Sequence, residues 1–150
     1  MAATYRPVSK NDIGIAVSMM QEFYAIDDYP IDIEQSKKLF ERFIADEKLG
    51  KAWLIWDENE IVGYIILTFV FSFEYGGLIA FVDELYISER ARGKGLGKSS
   101  IEFMKAEAQK LELKLLYLEV EHHNSNAQKL YLSAGFSEHK RKLMYYKTPN

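Results

Sequence analysis

Cysteine is missing altogether from the 150 residues. That excludes disulfides, a thiolate nucleophile and any Cys-based zinc site, and it is compatible with a reducing compartment. An excess of basic charge is also missing. Nineteen Lys and Arg stand against 22 Asp and Glu, a formal net charge of −3, which argues against a general nucleic-acid binder. Long apolar runs are lacking too. The longest uncharged stretch, Ile61 to Phe73, is too short for a membrane helix and is rich in β-branched and aromatic residues. The opening MAATYRPVSKND has no apolar core of the signal-peptide kind. With no repeat, linker or low-complexity segment, the expectation is one soluble, cytoplasmic domain spanning 1–150, long enough to bury roughly 70% of its unfolded surface.

Within those bounds the apolar pattern changes period along the chain. Thr4 to Val8 reads as a short strand, and Ser9 as a helix N-cap. Ile13, Val17, Met20 and Tyr24 mark one face of a helix from about Asn11 to Tyr24. Pro30 breaks that pattern, because it disfavours a helical residue before it. Asp32 with Gln35 three residues later resembles a capping box and opens a second helix through about Ala45. Ala52 to Trp56, Ile61 to Phe71 and Leu78 to Ser88 read as strands, with SFEYGG between the last two. A helix is expected from about Gly95 to Leu111, a strand from Leu115 to Val120, and a helix from Ser125 to Ala134 that ends at Gly135. The tail from Phe136 to Lys147 offers room for one or two further strands. The order βααβββαβαβ(β) predicts an α/β (mixed α+β) fold, with a twisted, mostly antiparallel mixed sheet of six to seven strands and about four helices on both faces.

The most distinctive stretch is ERARGKGLGKSS, residues 89–100, between a strand and a helix. Glycines there let backbone N–H groups approach an anion, and the helix N-terminus adds partial positive charge. Glycine spacing alone serves a phosphate cradle and a flexible basic turn equally well. A dinucleotide fingerprint needs Gly-x-Gly-x-x-Gly, whereas Gly93, Gly95 and Gly97 alternate strictly. Gly97-Lys98-Ser99 looks like the end of a P-loop, but Arg92 stands where that motif needs its first glycine. Arg92-x-x-Gly95-x-Gly97 instead resembles the acyl-coenzyme A pyrophosphate loop of the GNAT N-acetyltransferase superfamily. DELYISERARGKGLG is similar to that family's fourth strand and loop. LYLEVEHHNSNAQKLYLSAGF, residues 116–136, is similar to its fifth strand and following helix, with Asn124, Ala127, Tyr131 and Gly135-Phe136 in their usual places.

The resemblance implies transfer of an acetyl group from acetyl-CoA directly to a primary amine of a small molecule or peptide, in a ternary complex. No cysteine is available for an acyl-enzyme. A non-catalytic acyl-CoA sensor on the same fold is the alternative, disfavoured by the number of candidate proton-transfer groups. The leaving thiolate needs a proton, and the family places such an acid where Tyr131 stands; packing against the sheet is the other use of that ring. For the base, Asp83, Glu84 and Glu119 lie near strand ends. Period-two alternation puts Asp83 and Glu84 on opposite faces, so one of them at most should face the reaction. Glu119 is similar in position to the base of ribosomal-protein alanine acetyltransferases, and Asp83 and Glu84 to acidic residues of polyamine acetyltransferases.

The resemblance further implies cofactor contacts from the backbone of Leu85, Tyr86 and Ile87, from the loop Arg92, Gly93, Lys94, Gly95, Leu96, Gly97 and Lys98, and from Asn124 and Tyr131. Acceptor contacts are expected from Tyr24, Asp27, Asp28 and Tyr29, where aromatics and carboxylates together suit a cationic amine, and from Glu74 and Tyr75. The same acidic loop reads equally as solvated surface. His122, His123 and His139 read as surface residues, so no metal is expected. Lys140-Arg141-Lys142 reads as a solvated basic turn. The expected partner is the amine acceptor, with neither nucleic acid nor membrane, and a homodimer is compatible with the pattern.

Overall fold

Five strands share one sheet in the computed structural model, which describes residues 3–150. They are β1 (Thr4–Pro7), β2 (Gly50–Asp57), β3 (Glu60–Ser72), β4 (Gly77–Ile87) and β5 (Leu116–Leu118), in the spatial order β1-β2-β3-β4-β5. Pairing is antiparallel from β1 to β4 and parallel between β4 and β5. The helices are α1 (Ile13–Ile26), α2 (Ile33–Ala45), α3 (Leu96–Lys110) and α4 (Ser125–Ser133). Residues 3–119 and 120–150 form two compact units.

Alternation along the strands sends apolar side chains to both faces of the sheet. Ala52, Leu54, Tyr64, Ile66 and Tyr86 cluster with Val17 and Met20 of α1 and Phe40 of α2. Trp53 points the other way, where Phe103 of α3 meets its ring edge-on at 5.3 Å and stacks on Tyr5 at 4.1 Å. Ile101 and Met104 of α3 are fully buried. The sheet therefore carries helices on both faces. Gly63 lets β3 and β4 come together, since a Cβ there would sit 2.0 Å from the Tyr86 carbonyl oxygen.

Helix ends follow the expected chemistry with small shifts. Ser9 and Asp12 exchange a capping box around a 3-10 turn at Lys10–Asp12, so α1 proper begins at Ile13. Asp32 Oδ1 accepts from Gln35 N–H at 3.1 Å and opens α2. One expectation needs correction. Six to seven strands were expected, but five form among the described residues, and none lies in the tail. The tail places Lys140-Arg141-Lys142 before Leu143-Met144-Tyr145-Tyr146. A charged block followed by an apolar block has no period-two face to bury, and those four apolar residues remain largely exposed.

Candidate active site

The ladder between β3 and β4 slips once. Ile66 pairs with Glu84 but Leu67 pairs with Val82, leaving Asp83 as an extra residue on β4. Such a β-bulge re-aims the side chains beside it. Asp83 and Glu84 consequently both line one cavity, which corrects the expectation that they face opposite sides of the sheet. Regular alternation holds only where residues pair one to one.

That cavity, of about 310 Å³, lies between the sheet and the first two helices. Met20 and Tyr24 reach it from α1, and Leu39, Phe40, Arg42 and Phe43 from α2. Spacing of three and four residues places the α2 side chains along one stripe. Glu84 is clamped at its edge: Tyr24 donates its hydroxyl to Oε2 and Tyr64 donates to Oε1, both at 2.6 Å. Burial lifts the Glu84 carboxyl above the usual carboxylate range. The two phenol hydrogen bonds pull it down and the nearby Asp83 pushes it up, with a net rise. Burial, reinforced by Glu84, drives both phenols far above the ordinary tyrosine value. Burial also raises the Asp83 carboxyl. The Asp83 side chain makes no hydrogen bond or ion pair among the described residues, so its oxygens are open to a ligand.

One residue before the bulge, β4 loses its other neighbour. The parallel ladder ends at Val82 and Leu118. Ser88 N–H donates to the Val62 carbonyl at 2.7 Å. By alternation, Glu84 and Tyr86 also spend their N–H groups on β3, while Leu85 and Ile87 direct theirs to the outer edge. The expected trio of backbone donors is thus reduced to Leu85 and Ile87. On that edge the Ile87 carbonyl accepts Arg92 Nε at 2.9 Å.

Next in the chain, Gly93 and Gly95 take φ of +81° and +80°, the left-handed region that favours glycine. A Cβ at either would meet nothing within 4 Å. Glycine is needed there for backbone direction, and the space above it is open. Gly95 caps α3 without a side chain, so the first N–H groups of α3, beginning at Leu96 and Gly97, have no cap to satisfy them. Lys94 is drawn to Asp57, 3.6 Å away, whereas Lys98 is exposed beside the first turn.

The remaining candidates are not among the side chains that line the cavity. Asp28 takes φ +57°. Its N–H donates to the Ala25 carbonyl and that of Tyr29 to the Tyr24 carbonyl, which is how a Schellman motif ends a helix. Asp28 is thereby explained as a cap, with Asp27 and Tyr29 exposed on either side. Glu74 and Tyr75 occupy the β3–β4 turn, where the Tyr75 ring packs on Tyr117. Glu119 is exposed just past β5. In residues 120–150, Asn124 caps α4 by accepting from Ala127 N–H at 3.1 Å. Tyr131 meets Phe136 edge-on, and burial pushes its hydroxyl up to about 12. Arg42, Leu39, Phe43 and Tyr64 were not anticipated. Leu39 and Phe43 stand four residues apart in the sequence, a helical spacing, but what faces them depends on packing. Among the described residues no group of three or more His, Cys, Asp or Glu could hold a metal ion, and no helix is long and apolar enough to cross a membrane.

Residues 17–136 match the acetyltransferase (GNAT) family. The chain belongs to that family. A solved integron cassette protein from the mobile metagenome of Cole Harbour Salt Marsh is 33% identical, with a TM-score of 0.87 over 97% of this chain and 91% of that one. An uncharacterized N-acetyltransferase of Lactobacillus delbrueckii is 28% identical over 149 residues, 88% of this chain and 84% of that protein. A D-amino-acid N-acetyltransferase of Saccharomyces cerevisiae is 36% identical over 62 residues, which span only 38% of its length and 41% of this chain. GNAT enzymes use acetyl-CoA as acyl donor and act on amine acceptors. The loop of this GNAT chain fits such a donor, because its open left-handed glycines and uncapped α3 N-terminus suit a pyrophosphate.

Proposed function

We propose that this GNAT chain is an N-acetyltransferase that moves the acetyl group of acetyl-CoA to a primary amine bound in the cavity beside the β4 bulge. The observation that carries the reading is the bulge itself, which brings two carboxylates, Asp83 exposed and Glu84 half-buried, to one cavity with an apolar wall next to an unpaired strand edge. Arg92, Gly93, Lys94, Gly95, Leu96, Gly97 and Lys98 would hold the pyrophosphate, and the Leu85 and Ile87 amides the pantetheine and the developing oxyanion. Asn124 would add a bond from the amide left over after capping. Acetyl-CoA supplies a thioester carbonyl: as the C–N bond forms, the C–S bond breaks.

The protein's own residues handle two protons. An ammonium entering the cavity is attracted by Asp83 and Glu84, then must lose a proton to become a nucleophile. Asp83 is the better acceptor, because both Glu84 oxygens already accept from tyrosines. Glu84 with Tyr24 then orients the amine and balances its charge. Glu119 is the weaker candidate, because it lies outside the lining. Tyr131 supplies the second proton, to the departing thiolate. Burial keeps its phenol protonated at neutral pH, so a proton is at hand for general acid catalysis as the C–S bond breaks. Asp27, Asp28, Tyr29, Glu74 and Tyr75 would act at most as outer contacts of the acceptor.

The test is thiol release from acetyl-CoA with a panel of primary amines, each product identified by mass spectrometry. Turnover with at least one amine is expected. Acetyl-CoA binding with no turnover across the panel would favour a sensor instead.

A further inference from the structure

The cavity carries charges of both signs, and their arrangement bears on the acceptor. Asp83 and Glu84 supply the negative charge; Arg42, in the last turn of α2, is the one cation among the lining side chains. Its guanidinium makes no hydrogen bond or ion pair among the described residues. Leu39, Phe40, Phe43 and Ile66 give the cavity an apolar wall.

We propose that the acceptor is a free amino acid with an apolar side chain, whose carboxylate is read by Arg42 while its amine faces Asp83 and Glu84. This rests on the acetyltransferase reading and narrows it to a substrate class. A guanidinium presents five donors in a fork that matches a carboxylate, and here no protein carboxylate uses them. A purely cationic acceptor such as a polyamine would bring a second positive charge toward Arg42, which is unfavourable. The size agrees: about 310 Å³ is at the small end of ligand pockets. That suits one amino acid and is too small for an oligosaccharide. Leu39 is 54% exposed although it lines the cavity, so an apolar ligand side chain would cover it.

In the reaction the amino-acid ammonium gives one proton to Asp83 and bonds to the acetyl carbon, then sheds a second proton as the tetrahedral adduct collapses, which through solvent replaces the one that Tyr131 gives up. The C–S bond breaks and the coenzyme leaves as a thiol after taking a proton from Tyr131. The N-acetyl product has lost its positive charge and with it the attraction to Asp83 and Glu84, while its carboxylate and side chain are unchanged.

The experiment compares leucine and phenylalanine, each as both enantiomers, with isopentylamine and phenethylamine, which lack only the carboxylate. Thiol release is measured on the wild type and on Arg42→Gln, with acetyl-CoA binding followed by calorimetry in both. Arg42 is exposed, so its replacement should leave the fold intact. The expected result is kcat/KM higher for the amino acid of at least one enantiomer by about 10- to 100-fold, the range of a charge-assisted hydrogen bond, with that preference collapsing through KM in Arg42→Gln. Equal or better turnover of the decarboxylated amines by the wild type would overturn the substrate class while leaving the acetyltransferase reading in place. A preference that survives Arg42→Gln would overturn the role of Arg42. Neither acetyl-CoA binding nor turnover of any amine would overturn both readings together.

Discussion

Glu84 shows how far a single residue can be read from sequence. Its acidity, its place near a strand end and its candidacy as a catalytic group were legible. Its two tyrosine partners were not, because Tyr24 and Tyr64 lie 60 and 20 residues away in the chain. Removing one partner should be costly. Tyr64→Phe deletes a hydroxyl that donates to a buried carboxylate, and a hydrogen bond to a charged group contributes about 1.5–3 kcal/mol. Urea denaturation should show a loss in that range, whereas an unchanged midpoint would mean the clamp contributes nothing. For Asp83 the sign of the pH effect follows from its raised carboxyl. It must be unprotonated to accept a proton, so kcat/KM should fall as pH drops through a value above the ordinary carboxylate range of about 4. Of the other charged groups lining the cavity, Glu84 is adjacent in the chain and Arg42 stands on α2, and burial is the cause of the rise. Asp83→Asn should lower kcat by about 100-fold or more and remove that acid limb. A pH profile indistinguishable from wild type would exclude Asp83 as the base. Tyr131→Phe keeps the ring and should cut kcat by a similar factor of about 100, with acetyl-CoA affinity retained. Near-wild-type turnover would exclude it as the acid.

Element by element, what the sequence made legible was local chemistry. Capping at Ser9 and Asp32, glycine at the α3 entry and the apolar, strand-like runs of β2 to β4 all depend on residues a few positions apart, and they lie nearly in place. The bulge was hidden because it is a property of register between β3 and β4, not of β4 alone. The tail forms no strand among the described residues, since apolar content without alternation gives a strand no face. Two glycines test the elements they serve. Gly63→Ala would drive a methyl into the Tyr86 carbonyl and should destabilise by about 1–3 kcal/mol as β3 and β4 are forced apart, measured by thermal melting. Unaltered melting would show that the strands yield there freely. Gly95→Ala should behave differently, because its space is open but its φ of +80° is not. Left-handed backbone strain of about 1–2 kcal/mol should re-aim the loop and weaken acetyl-CoA binding more than it lowers the melting temperature.

Across the whole molecule, fold and family were legible because they rest on motifs, the glycine loop and the 116–136 segment, that sit within short stretches of chain. The acceptor was not legible. It depends on which side chains of α1, α2, β3 and β4 meet across the cavity, and none of those pairs is close in sequence. Acetyl transfer by this chain requires that the loop between β4 and α3 receive the donor. Calorimetric titration with acetyl-CoA, with ATP as the comparison ligand, tests this most directly. Saturable acetyl-CoA binding, weakened in Gly95→Ala and absent for ATP, is the predicted result. ATP binding with no response to acetyl-CoA would contradict it.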